Sequence, residues 1–133
     1  MSESISLSQE QADMIAAGAQ PALELLMASG LFQPTLYLHD GEKMTFYTLV
    51  VSGVDELLAM ARQMVKNTPA IVAYALFYDS SVDTEEGPMD ALFIETGDAD
   101  DDEAHEFFRA YNRQTGFLTT RIARLGPAVN FLK

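Results

Sequence analysis

Five acidic residues stand within six positions of one another, and carboxylates at this spacing are candidate ligands for a hard cation such as Ca²⁺. They are Asp98, Asp100, Asp101, Asp102 and Glu103. The cluster departs from the EF-hand loop, because Glu103 occupies the position of the required Gly and Arg109 that of the bidentate Glu. We therefore predict no metal site, and expect the acids to complement the positive N-terminal end of a following helix.

The two histidines, His39 and His105, are candidates for acid-base or zinc chemistry. His105 and the Glu after it begin the zinc-protease motif His-Glu-x-x-His, but Arg109 replaces its second His, which excludes that class. On a helix, His105 would pair with Asp101 or Asp102 one turn back. His39 is expected at an exposed strand end. A His/Asp acid-base pair would require the two histidines to meet, and nothing in their spacing demands it.

Nucleophilic catalysis and cofactor binding find no support in the sequence. The chain has no Cys, which excludes thiolate chemistry and every sulfur-ligated metal site. It also lacks a Gly-x-Ser-x-Gly elbow and a glycine-rich phosphate loop. We therefore name no catalytic residue and expect no cofactor.

The net charge of -12 is concentrated in one segment, residues 79–106, which holds twelve Asp or Glu and no Lys or Arg. Residues 107–133 carry five bases and no acid. Such an acidic chain is repelled by nucleic acid and by anionic membranes, and it favours a basic partner. We expect the basic C-terminal segment to fold back near the acidic one, because separating them forfeits favourable Coulomb energy.

Length and composition indicate a single globular domain, residues 1–133. The N-terminus has neither the basic region nor the apolar stretch of a signal peptide. The longest apolar run, Ala70 to Tyr78, is far shorter than the roughly 20 residues of a membrane helix. We therefore expect a soluble, cytoplasmic protein without a membrane segment.

The N-terminal half predicts a helix, a β-hairpin and a second helix. Ser8 precedes Gln11 with capping-box spacing. Gly18 and Pro21 then interrupt the apolar repeat, which predicts a helical hairpin or a kinked helix ending at Gly30. The remaining elements are strands at Thr35–His39 and Lys43–Val51 around an Asp-Gly turn, and a helix from Ser52 or Gly53 to Asn67.

The C-terminal half predicts a central strand at Ala70 to Tyr78, because both of its alternating faces are apolar. A polar loop, residues 79–88, should lead to an antiparallel strand. The predicted elements that follow are a strand at Met89–Thr96, a third helix with Ala104, Phe107, Phe108 and Tyr111 on its apolar stripe, a strand at Thr115–Ala123, a Gly126-Pro127 turn, and a tail at Ala128–Leu132 docked on the core. The sequence thus predicts an α+β fold, order α-β-β-α-β-β-α-β, with three helices and a mainly antiparallel sheet of about five strands.

These observations favour a non-catalytic protein-protein interaction domain that binds a basic partner through residues 79–106. Aromatic side chains left exposed inside an acidic rim would anchor such a partner. The predicted partner-binding residues are Asp98, Asp100, Asp101, Asp102, Glu103, Tyr78 and Tyr111.

Two other functions remain open at this point. The chain could bind a small molecule or metal ion, including as an enzyme, in a pocket between the second helix and the sheet. The residues expected at the mouth of that pocket are His39, Tyr74, Tyr78 or His105. It could also be a structural or homo-oligomeric subunit whose acidic face keeps it soluble.

Overall fold

The computed structural model describes residues 6–85, 87–118 and 122–133, without the side chains of Thr84 and Phe117. It is an α+β fold with an antiparallel sheet, as predicted. Its elements are α1 (Gln9–Ser29), β1 (Thr35–His39), β2 (Met44–Thr48), α2 (Val54–Asn67), β3 (Ala73–Thr84), β4 (Gly87–Asp98), β5 (Glu103–Asn112), β6 (Phe117–Leu118) and β7 (Ala123–Val129). Neither α1 nor α2 is long and apolar enough to cross a membrane.

The sheet has the spatial order β2-β1-β3-β4-β5, and every pairing in it is antiparallel. The outer edge of β5 is shared by two strands, with the two-residue β6 at one end and β7 alongside residues 103–108. Among the described residues, six principal strands and the short β6 therefore replace the five that the sequence predicted. The central position of β3 is confirmed.

One helix covers each face of the sheet. On the first, the α1 face, Met14, Leu23 and Leu26 pack with side chains from β3 and β4, namely Ala75, Phe77, Leu92 and Ile94. On the second, the α2 face, Leu57, Ala61 and Val65 pack with the alternate residues, Leu36, Leu38, Tyr74, Leu76 and Phe93. Successive residues of a strand point to opposite faces, so β3 must be apolar throughout its covered part.

Helix α1 is a single helix, so the helical hairpin is wrong and the alternative, one helix that continues through Pro21, remains. Its capping box at Ser8 and its left-handed C-cap at Gly30 are both present, as the sequence predicted. Pro21 lies inside the helix. A Cβ on Gly18 would lie 2.7 Å from the ring of Phe77 and 2.9 Å from that of Tyr37. Gly18 therefore serves close packing of α1 on the sheet, and this packing outweighs the weak local propensity.

The predicted third helix is wrong, because residues 103–112 form strand β5. Ala104, Phe108 and Ala110 pack on the α2 face, whereas Phe107 and Tyr111 pack on the α1 face. The helical spacing was accidental, since a strand covered on both faces places apolar residues at both parities. A register shift between residues 106 and 107 accommodates β7.

The predicted polar loop, residues 79–88, is also wrong, because β3 and β4 pair as far as Thr84 opposite Gly87. This end of the hairpin is largely exposed, so its polar sequence gave no sign of a strand.

Near the C-terminus, the predicted strand at Thr115–Ala123 is replaced by the short β6 and by β7, and residues 119–121 lie outside the described part of the chain. The predicted turn at Gly126-Pro127 lies within β7. The docked tail is confirmed, because Phe131 is buried and stacks on Tyr74 with ring centroids 5.0 Å apart. The second hairpin strand, β2, is shorter than predicted.

Candidate functional site

The acidic cluster forms the turn that joins β4 to β5, which we call the acidic turn and define as residues 98–103. Asn130, a buried residue, fixes its backbone from the C-terminal segment. The Nδ2 of Asn130 donates to the carbonyl of Asp98 at 2.9 Å and to that of Asp101 at 2.7 Å. Its Oδ1 accepts from the backbone N–H of Leu132 at 2.9 Å. The side chain of Asn130 thus ties both sides of the turn to the core.

Two of the five carboxylates are used within the turn itself. Asp98 is almost fully buried, and its Oδ1 accepts from the backbone N–H of Asp100 at 2.9 Å. Asp101 accepts from the N–H of Glu103 at 3.2 Å and lies 3.0 Å from the Nε2 of His105. The hydrogen bonds from His105 and then from the Glu103 backbone lower the pKa of Asp101. These two acids therefore shape the turn.

The other three carboxylates, Asp100, Asp102 and Glu103, are exposed. In residues 6–85, 87–118 and 122–133, no Lys or Arg lies within ion-pair distance of them. The same residues contain no group of three or more His, Asp or Glu that could hold a metal ion. The expected role at a helix N-terminus is wrong, because a strand follows the turn. Three negative charges therefore face solvent on a fixed backbone.

The two histidines do not meet. The pairing of His105 with Asp101 is confirmed, although it joins a turn to a strand and not two turns of a helix. His39 is buried, contrary to the expected exposed position, and its Nδ1 accepts from the N–H of Gly41 at 2.9 Å. His39 lies on β1 and His105 on β5, so β3 and β4 separate them by about 14 Å at the usual strand spacing.

Strand β7, part of the basic C-terminal segment, lies beside the acidic segment 79–106, as the sequence predicted. Strand β7 pairs with β5, and the guanidinium of Arg124 contacts the Nδ1 of His105 at 3.4 Å, next to Asp101. The Nζ of Lys133 donates to the carbonyl of Ala99 at 2.7 Å. Arg121 lies outside the described residues.

Tyr78 and Tyr111 are not exposed anchors, contrary to our expectation, because they are only 5% and 2% exposed. They lie far from the acidic turn. The strand register places Tyr78 opposite Phe93, roughly 17 Å along β4 from Asp98 at 3.4 Å per residue. Tyr111 lies beyond that, and its hydroxyl donates to Asp79 at 2.8 Å. The seven predicted partner-binding residues therefore do not form one surface.

Apolar residues that are exposed beside the turn belong to β7, which the sequence analysis did not select. Val129 is 65% exposed and lies directly opposite Glu103 in the strand register. Leu125, on the same strand, is also exposed. The position of these two residues near the turn follows from the pairing of β7 with β5, which no local sequence pattern indicated.

A pair of carboxyl groups, the buried Glu95 and the half-buried Glu106, was also missed. They lie directly opposite each other on β4 and β5, and Glu95 accepts a hydrogen bond from the hydroxyl of Tyr78 at 2.8 Å. Burial raises the pKa of both glutamates, and for Glu95 the charge of Glu106 raises it further. The available signal was a Glu within the apolar run of β4. The pair can hold a proton inside the α2 face.

A small cleft of about 260 Å³ lies between the start of α2 and the sheet. Its lining includes Tyr78, Val54 and Leu57. Of the four residues expected at the mouth of such a pocket, only Tyr78 lines this cleft. Tyr74 is fully buried, and the two histidines point to the α1 face by strand alternation.

Comparison with protein-family models, with curated proteins and with solved structures gives no match. The assignment of function therefore depends on the geometry alone.

We predict that Glu95→Gln changes the pH dependence of stability. The raised pKa of Glu95 means that its stabilising contribution is full below the ordinary value of 4.5 and is lost as the pH rises through the folded pKa. Gln remains neutral and can still accept from Tyr78. The free energy of unfolding of the variant, relative to the native chain, should therefore increase between about pH 5 and pH 8 in chemical denaturation.

The matched control is Glu85→Gln, which alters an exposed glutamate of the β3–β4 hairpin. Its stability relative to the native chain should change little over that range. A stability difference for Glu95→Gln that stays constant from pH 5 to pH 8 would show that Glu95 is ionised throughout.

Proposed function

We propose that this chain is a non-catalytic interaction domain that binds a basic protein partner through the acidic turn. The observation that supports this proposal most strongly is the exposure of Asp100, Asp102 and Glu103 on a turn whose backbone Asn130 fixes. A basic partner would supply the ion pairs that these three carboxylates do not form within the described part of the chain.

The fixed backbone favours binding by reducing the entropy that a partner must remove. A flexible acidic loop loses conformational freedom on association, whereas the acidic turn is already hydrogen bonded to Asn130. The net charge of -12 also attracts a basic partner at long range and accelerates encounter. The acidic turn would thus orient the bound partner, and the net charge of the whole chain would increase the rate of association.

Apolar contact would come from β7 in place of the buried tyrosines. Val129 adjoins Glu103, and Leu125 lies further along the same strand. Apolar side chains bordered by charges are typical of protein interfaces, where the charges exclude competing partners and the apolar groups add affinity. We therefore include Val129 and Leu125 in the proposed surface.

We predict that the triple variant Asp100→Asn, Asp102→Asn, Glu103→Gln loses a basic partner that the native chain captures from its own cell extract. None of the described hydrogen bonds of the turn uses these three side chains, so the fold should persist. Capture should also weaken between about 0.1 M and 0.5 M salt, because the Debye length falls below about 10 Å. Quantitative mass spectrometry of the two captures measures both effects.

The matched control replaces three exposed acids of the β3–β4 hairpin, Asp83→Asn, Glu85→Gln and Asp90→Asn. It makes the same change of net charge at the far end of β4. This control should retain the partner. Equal loss from both triple variants would mean that total charge, and not the acidic turn, selects the partner.

A second candidate function is small-molecule binding in the cleft at the start of α2. The cleft is favoured by its position between helix and sheet and by Tyr78, whose hydroxyl is linked to Glu95. A ligand at 100 times its dissociation constant should stabilise the fold by about 2.7 kcal/mol. Thermal unfolding across a metabolite panel, with Val54→Trp filling the cleft as the control, tests this function. If no metabolite raises the unfolding temperature of the native chain above that of the Val54→Trp variant treated in the same way, this function is contradicted.

A further inference from the structure

In the part of the chain that the structure describes, no strand pairs with the outer edge of β2, and apolar side chains are exposed around it. Phe46 is 62% exposed, and Tyr47 and Val50 are also exposed. On the α1 face, Phe46 joins Leu25 and Phe32 in lining a groove of about 350 Å³ between α1 and β2. Residues 44–53 contain no Asp, Glu, Lys or Arg. An exposed, uncharged apolar edge of this kind is typical of a pairing surface.

The opposite edge of the sheet is protected against pairing with another strand, whereas the edge at β2 is not. Strand β7 contains Pro127, which cannot donate to a further strand, and Arg124. Its pairing with β5 is also interrupted by the register shift at residues 106 and 107. Proline, charge and irregular pairing are the usual devices that prevent edge association, and β2 has none of them.

The hydrogen-bonding phase of β2 shows which of its backbone groups are free. At one end of the β1–β2 pair, the N–H of Asp40 donates to the carbonyl of Lys43 at 3.1 Å. At the other, the N–H of Leu49 donates to the carbonyl of Pro34 at 2.8 Å. An antiparallel ladder alternates, so the odd-numbered residues of β2 bond to β1 and the even-numbered residues point outward.

We infer that two copies of this chain associate by antiparallel pairing of β2 with its own copy, around a two-fold axis at Phe46. In this register Phe46 lies opposite itself and Met44 lies opposite Thr48. All three are even-numbered, so their N–H and C=O groups point outward and can form six backbone hydrogen bonds between the copies. The two Phe46 rings would meet on the α1 face.

The charge distribution favours a second copy at this edge. Two chains of net charge -12 repel each other unless their acids stay apart. The acidic segment 79–106 begins on β3, two strands from β2, so pairing through β2 keeps the acidic segments of the two copies about 24 Å or more apart. That distance far exceeds the Debye length of about 8 Å at physiological salt. The neutral edge is thus a surface where self-association meets little repulsion.

The available apolar area supplies most of what a stable interface requires. Five side chains, Leu25, Leu31, Phe46, Tyr47 and Val50, expose between 45% and 77% of their surface. At roughly 200 Å² per side chain this amounts to about 600 Å². The backbone edge of β2 adds to it, and a stable interface buries about 800 Å² on each partner.

We predict that the purified chain forms a dimer, with twice its 14.6 kDa mass in sedimentation, as its concentration is raised to about 500 μM. The variants Phe46→Lys and Thr48→Pro should sediment as monomers. The first adds a charge at the axis, and the second removes an outward N–H without affecting a bond to β1. The control Val129→Lys makes a similar change at the opposite edge and should remain dimeric.

A chain that stays monomeric throughout this range, or a dimer that persists in both β2 variants, would overturn the inference.

Amide hydrogen exchange gives a second readout that does not depend on the variants. The N–H groups of Phe46 and Thr48 should exchange rapidly in dilute protein and slowly in concentrated protein. Those of Thr45 and Tyr47, which bond to β1, should be protected in both. Equal exchange of the outward amides at the two concentrations would also contradict pairing. Partner capture by the acidic turn is not required for any of these outcomes.

Discussion

The structure depends on covering the centre of one antiparallel sheet with one helix on each face. Strand β3 lies in the middle of this sheet and contributes alternate side chains to the cores on its two faces. It is therefore apolar at every covered position. The two helices leave the outer parts of the sheet uncovered. The free edge of β2, the distal β3–β4 hairpin and the acidic turn are the parts that remain accessible, and the proposed binding surfaces lie at two of them.

The acidic residues are divided among environments with different physical effects. Asp98 and Asp101 fix the backbone of the acidic turn, whereas Asp100, Asp102 and Glu103 face solvent. Glu95 is buried and Glu106 half-buried on the α2 face, where burial raises the pKa of both. A single acidic segment therefore includes structural, exposed and buried carboxylates, and net charge alone cannot distinguish them.

Local signals in the sequence predicted what local physics controls. The capping box at Ser8, both helices, the first hairpin and the doubly apolar β3 follow from patterns within one element. The β5 strand was mistaken for a helix because apolar residues on both of its faces also match helical spacing. The pairing of Glu95 with Glu106 and the burial of Tyr78 and Tyr111 depend on strand register, which joins residues distant in sequence. The hydrogen bonds from Asn130 to the acidic turn likewise join residues that are distant in sequence.

Binding through the acidic turn requires that the turn be an ordered part of the sheet and not a mobile charged loop. Amide hydrogen exchange of Ala99 and Asp101 tests it most directly. The N–H of Ala99 donates to Val72 at 2.8 Å and that of Asp101 to Asp98 at 3.2 Å. We expect both amides to exchange as slowly as those of the neighbouring β4 strand. Exchange at the rate of an unstructured peptide would contradict it, because the exposed carboxylates would then have no fixed backbone.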